Sequence, residues 1–66
     1  METKYRVTGL DRDGYEVSGG SCWDTLRDAR RAATCLVSEE EAIDAGMIKV
    51  EIRNRLSECI ADYFVN

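Results

Sequence analysis

MIKVEIR, residues 47–53, is the stretch of sequence that decides the fold class. Its apolar residues alternate with charged ones, the period-two pattern of a strand with one buried face. The alternation predicts that the apolar side chains of Ile48, Val50 and Ile52 face the core. The charged side chains of Lys49, Glu51 and Arg53 are expected to face solvent. Strands with one solvated face are typical of antiparallel sheets, so we expect an antiparallel sheet.

A hairpin is predicted near the start of the chain. Residues 4–8 and 15–18 alternate polar and apolar side chains in the same way. Between them lies Asp11-Arg12-Asp13-Gly14, and the glycine can adopt the positive φ that a tight turn needs. The pair Gly19-Gly20 is expected to end the second strand.

The C-terminal segment fits two kinds of element. The residues Leu56, Cys59, Ile60, Tyr63 and Phe64 follow helical spacing. Residues 59–65 are also rich in aromatic and β-branched side chains, which favours a strand after a turn near residues 54–58. We favour the strand, because it would broaden a small sheet that a helix must cover.

A first helix is predicted over residues 22–36. Ser21 precedes it as the N-cap and Asp24 follows at the position that completes a capping box. Helical spacing places one stripe toward the sheet: Cys22, Leu26, Ala29, Ala33 and Leu36. Four charged side chains fall outside this stripe and are expected in solvent: Arg27, Asp28, Arg30 and Arg31.

A second, short helix is predicted over residues 39–45. Ser38 and Glu41 have the spacing of a capping box, and Gly46 is suited to the position after the helix. Acidic residues in a first helical turn are favoured by the helix dipole by about 0.3–1 kcal/mol each. This preference explains the glutamates of the segment without any partner.

Together these elements predict a single α+β domain over residues 1–66. It would contain an antiparallel sheet of three or four strands, helix 22–36 on one face, and the acidic helix beside it. The order is ββααβ, followed by a strand or a short helix. A chain of 66 residues buries only about 60% of its unfolded surface, so modest stability is expected.

The composition disfavours catalysis. The chain contains no histidine, which removes the commonest general base and metal ligand, and no glycine-rich phosphate loop follows a strand. Its three cysteines, Cys22, Cys35 and Cys59, have no zinc or CxxC spacing. We therefore expect a protein that is not an enzyme and holds no cofactor or metal. The thiols are interpreted as buried and reduced, and with no apparent signal peptide or membrane span a cytoplasmic location is expected.

Charge is distributed very unevenly along the chain. Residues 38–46 contain four acids and no base, while the other residues hold nine acids and nine bases. The net charge of −4 therefore belongs to this one segment, and such a local surplus bears on the choice of partner. The hypothesis is that a basic surface of a nucleic-acid-handling protein binds here. The candidate binding residues are Glu39, Glu40 and Asp44, with Asp11 and Asp13 if the hairpin turn lies nearby, and Trp23.

Trp23 has two interpretations. It can cover the end of the sheet, or, if exposed, it can anchor an interface, because tryptophan is enriched among binding hot spots.

The layout resembles small accessory proteins of bacteriophages, some of which are acidic anti-CRISPR inhibitors. The resemblance covers the hairpin of residues 5–14, the helix after it, and the strand that ends in Val50-Glu51-Ile52-Arg53-Asn54. It implies a stoichiometric inhibitor that acts by surface contact, in some cases by presenting carboxylates where DNA phosphates would lie. It assigns no residue a role.

Two other functions remain open. The first is self-association, possible as a homodimer, because a small core and an exposed sheet edge both favour it. The second is direct nucleic-acid binding by basic side chains on the outer sheet face: Lys4, Arg6, Lys49 and Arg53. Glu16 and Glu51 are expected on the same face, the tyrosines are expected to be buried, and the net charge is negative, so nucleic-acid binding is disfavoured.

Overall fold

Four strands and two helices make up the computed structural model, which describes residues 4–65. In chain order they are β1 (Tyr5–Asp11), β2 (Glu16–Trp23), α1 (Leu26–Leu36), α2 (Glu40–Asp44), β3 (Met47–Asn54) and β4 (Cys59–Phe64). The strands form one antiparallel sheet in the order β2-β1-β3-β4. The predicted α+β class with an antiparallel sheet is confirmed, and the C-terminal segment is a strand.

Both helices cover the same face of the sheet. In the central strands β1 and β3, Val7 lies opposite Ile52 and Gly9 lies opposite Val50. The side chains of Val7, Val50 and Ile52 are fully buried. They share one core cluster with three alanines of the helices and the first residue of β3: Ala29, Ala33, Ala42 and Met47. The core therefore lies between the middle of the sheet and the helices.

The predicted alternation of β3 holds for Val50 and Ile52 but is wrong for Ile48. Ile48 is 43% exposed, whereas Met47 is only 2% exposed. The cause is a register shift, since Leu10 pairs with Lys49 and the next residue, Asp11, pairs with Met47. This irregularity turns Met47 into the core in place of Ile48.

The turn of the β1–β2 hairpin is confirmed. One carboxylate oxygen of Asp11, Oδ1, accepts hydrogen bonds of 2.9 Å from the backbone N–H groups of Asp13 and Tyr15. Gly14 has a φ of +86°, as the turn requires. Tyr15 is 73% exposed, so the expectation that the tyrosines are buried is wrong at this residue.

The second strand does not end at Gly19-Gly20 but continues to Trp23. Two register shifts against β1 accompany these small residues, as is common where glycine interrupts a strand. At Gly20 the Arg6 guanidinium occupies the space that a Cβ would take. Gly20 therefore leaves room for the Arg6 side chain, and β2 continues through both glycines instead of ending there.

The first helix begins later than predicted. Thr25 is the N-cap, and its hydroxyl accepts a 3.2 Å hydrogen bond from the backbone N–H of Asp28. Ser21 and Cys22 belong to β2, so Ser21 caps no helix and the predicted start at Cys22 is wrong. Ala29 and Ala33 are buried as expected, and the four charged residues outside the stripe are exposed: Arg27, Asp28, Arg30 and Arg31.

The predicted capping box of the second helix is also wrong. Glu39 is the N-cap of α2 and makes no side-chain capping hydrogen bond. Ser38 instead belongs to the turn that ends α1, where its backbone N–H donates to the carbonyl of Cys35 at 3.2 Å. Gly46 follows α2 with a φ of +106°, which confirms its predicted role.

The interpretation of the cysteines as buried thiols is wrong, because Cys22, Cys35 and Cys59 are all exposed. Cys22 lies opposite Arg6 in the edge strand β2, and Cys59 begins β4 at the other edge. Their partners Arg6 and Arg53 lie on the helix-free face of the sheet, so both thiols face solvent. Within residues 4–65, no helix is both long and apolar enough to cross a membrane.

Candidate protein-interaction site

The acidic segment, defined as Glu39, Glu40, Glu41 and Asp44, is exposed on and beside α2. The described part of the chain contains three ion pairs, and all of them lie elsewhere: Arg6 with Glu16, and Lys49 and Arg53 with Glu51. The four carboxylates therefore carry charge that no ion pair of the described residues compensates. A field of this kind attracts cations and raises the rate of association with basic partners.

The hairpin turn adjoins the C-terminal end of α2. A Cβ built on Gly46 would lie 3.9 Å from the Cβ of Asp11, and Asp11 pairs with Met47 at the start of β3. The condition for including Asp11 and Asp13 in the acidic surface is thus met. The two carboxylates differ in their availability to a partner. Asp11 Oδ1 accepts hydrogen bonds within the turn, whereas the Asp13 side chain is exposed and only the backbone N–H of Asp13 takes part in the turn.

Trp23 is half-buried near the end of the sheet. It pairs with Tyr5 across the β1–β2 ladder and packs against the core. Its indole Nε1–H donates a 2.8 Å hydrogen bond to the hydroxyl of Ser21. Trp23 therefore covers the end of the sheet, and part of its ring remains accessible beside α1.

A groove of about 570 Å³ separates β2 from α1. On the strand side it is lined by Ser18, Gly19, Ser21 and Trp23, and on the helix side by a stripe that runs from Asp28 to Glu39. We call this feature the β2–α1 groove. Two of the predicted site residues, Trp23 and Glu39, meet in it, while Glu40, Asp44, Asp11 and Asp13 are not among its lining residues.

The opposite, helix-free face of the sheet carries alternating charges. Arg6 Nη2 lies 3.3 Å from Glu16 Oε1, Lys49 Nζ lies 3.2 Å from Glu51 Oε2, and Arg53 Nη2 lies 2.9 Å from Glu51 Oε1. Three of the four cations considered for nucleic-acid binding are therefore paired with carboxylates. The expectation that Glu16 and Glu51 share this face is confirmed.

Among residues 4–65, Glu51 is the charged residue that is buried, with 6% of its surface exposed. Burial by itself would raise the pKa of the Glu51 carboxyl. Hydrogen bonds from Lys49 and Arg53, together with their positive charges, outweigh this effect and hold the pKa below its ordinary value. The sequence pattern places Glu51 on a face expected in solvent, and it contains no signal for this burial.

Replacing Glu51 with Gln is expected to lower the free energy of unfolding at pH 7 by about 1–2 kcal/mol, because hydrogen bonds to the charged carboxylate are lost. The folded-state pKa lies below the ordinary value of 4.5, so this contribution is present above pH 4.5 and is lost as the pH falls through the folded-state pKa. Urea unfolding of both proteins at pH 7 and at about pH 3 measures it.

The matched control for this prediction is Glu58→Gln. The Glu58 carboxylate accepts a 3.2 Å hydrogen bond from the Asn54 side chain but is exposed, so the change should have little effect at either pH. A destabilisation by Glu51→Gln that stays the same in acid would contradict the assignment.

The residues of the described range form no cluster of three or more potential metal ligands. The feature that the structure adds to the site predicted from the sequence is the β2–α1 groove. No protein-family model, curated protein or solved structure shows significant similarity to this chain.

Proposed function

We propose that the protein is a non-enzymatic interaction protein that binds a basic surface of another protein through its acidic segment. The observation that carries this proposal is the contrast between two sets of carboxylates. Glu16 and Glu51 are paired with cations of the same sheet, whereas the acidic segment makes no ion pair with any described residue. Unpaired charge of one sign favours a partner of the opposite sign.

The position of the segment supports the proposal further. Because Asp11 adjoins Gly46, the acidic surface extends from the start of α2 to the hairpin turn, where Asp13 is exposed. Basic protein surfaces of this extent commonly serve to contact nucleic-acid phosphates. The partner class we propose is therefore a nucleic-acid-handling protein, and inhibition by occupying its phosphate-binding surface stays a prediction.

Replacing Glu39 and Asp44 with Lys is expected to abolish capture of such a partner. The double change takes the formal net charge from −4 to 0 and reverses the field at the acidic segment. Wild type and E39K/D44K would each be immobilised and exposed to a lysate of the native host, and the retained proteins compared by mass spectrometry. Partners held by wild type should be released as the salt concentration rises, because exposed charges are screened.

The matched control is D24K/D62K, which changes the net charge equally at two exposed acids outside the acidic segment. Circular dichroism would verify that both variants are folded. Equal retention of the same basic partner by wild type and E39K/D44K would overturn the proposal, and equal loss with both double variants would show that only total charge matters.

Self-association is a second candidate, and exposed apolar side chains on an edge strand favour it. Ile60 and Phe64 of β4 are 41% and 63% exposed, and β4 is a terminal strand of the sheet. The backbone N–H of Val65 donates to the carbonyl of Ile48, so the alternating geometry of the ladder directs the polar groups of Phe64 and Asp62 outward. A second copy of β4 could pair with them.

Light scattering over a wide concentration range tests this candidate. We expect a weak, concentration-dependent dimer that Phe64→Lys disrupts, because lysine on an edge strand opposes pairing. Tyr15→Lys, a change at an exposed aromatic in the hairpin turn, should leave the dimer intact. A monomer at all concentrations would contradict self-association.

A further inference from the structure

We propose that a second copy of this chain docks antiparallel along the exposed side of α1, with Arg31 of each copy beside Glu39 of the other. The contact is centred on Cys35 and is therefore symmetric. The inference goes beyond the proposed function and shares with it only the acidic segment, part of which the second copy would cover.

Opposite charges are separated along the chain from α1 to α2. Three arginines lie in the first half of α1, and the acidic segment follows the end of this helix: Arg27, Arg30 and Arg31, then Glu39, Glu40, Glu41 and Asp44. The stretch between them, residues 32–38, carries no charge. An antiparallel second copy therefore places the basic half of one molecule against the acidic half of the other.

Arg31, Cys35 and Glu39 lie on one side of α1 and of the turn that follows it. They recur every fourth residue, about one helical turn, and all three line the same rim of the β2–α1 groove. The turn continues the helical path, since the backbone N–H of Glu39 donates to the carbonyl of Leu36 at 3.0 Å. All three side chains are exposed. A twofold axis at Cys35 thus places Arg31 opposite Glu39 of the second copy.

The charges of Arg31 and Glu39 are not compensated within one copy. The three ion pairs of residues 4–65 join other side chains, on the helix-free face of the sheet. Eight positions at about 1.5 Å each separate the backbones of Arg31 and Glu39 by roughly 12 Å, so the two are poorly placed to pair with each other. A second copy pairs both of them at once, and charge complementarity of this kind selects the partner.

The surface around Cys35 lets a second helix come close, because Ala32, Thr34 and Ser38 have small side chains. Packed helices lie about 8–10 Å apart, and each Cα lies about 2.3 Å from its helix axis. The Cα atoms of two facing Cys35 residues would then be roughly 3.5–5.5 Å apart. This range overlaps the Cα separation that a disulfide requires, so the native thiol can report on the contact.

The dimer is expected to be weak, because exposed ion pairs contribute little and one side of a short helix buries little surface. A covalent trap detects such a transient contact. Since Glu39 belongs to the acidic segment, the second copy and a basic partner would compete for it.

Oxidative cross-linking with diamide tests the inference. The variant C22S/C59S keeps Cys35 as its only thiol, and the matched control C35S/C59S keeps only Cys22, which is also exposed. Diamide is reduced as it converts two thiols into one disulfide, and non-reducing electrophoresis gives the rate of dimer formation. We expect C22S/C59S to cross-link about fivefold faster than C35S/C59S, because docking brings two Cys35 thiols together. Equal rates would indicate random collision and overturn the inference.

Charge reversal in the C22S/C59S background identifies the pairing. R31E and E39R should each cross-link about fivefold more slowly, because like charges then face each other. An equimolar mixture of R31E and E39R should recover the rate and give mainly the mixed dimer, since the glutamates of one copy face the arginines of the other. The double variant R31E/E39R should recover the rate as well.

Two measurements control for indirect effects of these substitutions. The rate of reaction with iodoacetamide gives the reactivity of Cys35 in each variant, and each cross-linking rate is divided by it. Circular dichroism verifies that every variant is folded. Cross-linking that does not respond to R31E, or a mixture of R31E and E39R without an excess of mixed dimer, would overturn the inference.

The outcomes separate this interface from the functions proposed above. Phe64→Lys changes β4 and should leave cross-linking at Cys35 unchanged, whereas its loss would assign the contact to β4 and overturn the inference. R31E leaves the acidic segment intact, so it should lose cross-linking and still capture a basic partner. Failure of the wild type to capture any basic partner would overturn the proposed function alone, because the cross-linking pattern does not depend on it.

Discussion

Replacing Ile52 with Ala is expected to lower the free energy of unfolding by about 2–5 kcal/mol. Ile52 is fully buried in the middle of the sheet, between Val7 on β1 and Ala61 on β4. Truncation removes apolar surface from the core and leaves a cavity that the paired strands cannot close. A chain of 66 residues has a stability of roughly 3–10 kcal/mol, so this one change should remove a large part of it.

Ile60→Ala is the matched control for Ile52→Ala. It makes the same chemical change on the neighbouring strand β4, where Ile60 is 41% exposed, and should shift stability by about 0.5 kcal/mol or less. Urea unfolding followed by far-UV circular dichroism gives both values. Comparable destabilisation by the two changes would contradict the placement of the core on the helix-covered face.

Replacing Gly9 with Val is the second change with a large expected effect, a loss of about 1–3 kcal/mol or more. A Cβ at this position would lie 2.5 Å from Met47 Sδ and 3.2 Å from Ser18 Cβ. Met47 is only 2% exposed, so its side chain has no room to move away without disturbing the core. The valine must therefore push β2 or Met47 out of place.

Gly19→Val is the natural comparison for Gly9→Val, because both add the same side chain to the same sheet. Nothing lies within 4 Å of a Cβ at Gly19, and valine is well suited to a strand. Thermal and urea unfolding should show a large loss of stability at Gly9 and none at Gly19. Equal losses at both positions would show that glycine is needed in this sheet for its backbone freedom instead of for space.

The strands were predictable wherever apolar and polar residues alternate without interruption. Residues 49–53 belong to this class, and the hairpin turn at Asp11–Gly14 was predictable for the same reason, because each depends only on neighbouring residues. The bulges were not predictable. Gly19-Gly20 has the composition of a strand end. Only the position of the Arg6 side chain on the neighbouring strand β1 explains why β2 has a glycine at residue 20.

The start of α1 could not be predicted because the sequence contains two capping signals close together. Thr25 and Asp28 have the spacing of a capping pair, and so do Ser21 and Asp24 four residues earlier. Local spacing cannot choose between two such pairs. The choice depends on β2, which extends to Trp23 because Trp23 pairs with Tyr5 and packs against the core.

The candidate site was predictable in charge but not in shape. The surplus of acids in residues 38–46 can be counted directly, and their exposure follows from an amphipathic short helix. The meeting of Trp23 with Glu39 in one groove could not be derived, because it depends on how α1 docks against the edge of the sheet.

The fully buried surface of α1 consists of two methyl groups, those of Ala29 and Ala33. Such short side chains let the helix lie close to the sheet, and Leu26 and Leu36 pack against the core from the two ends of the helix. A larger side chain at Ala29 or Ala33 would therefore lift the helix off the sheet and expose the core to water.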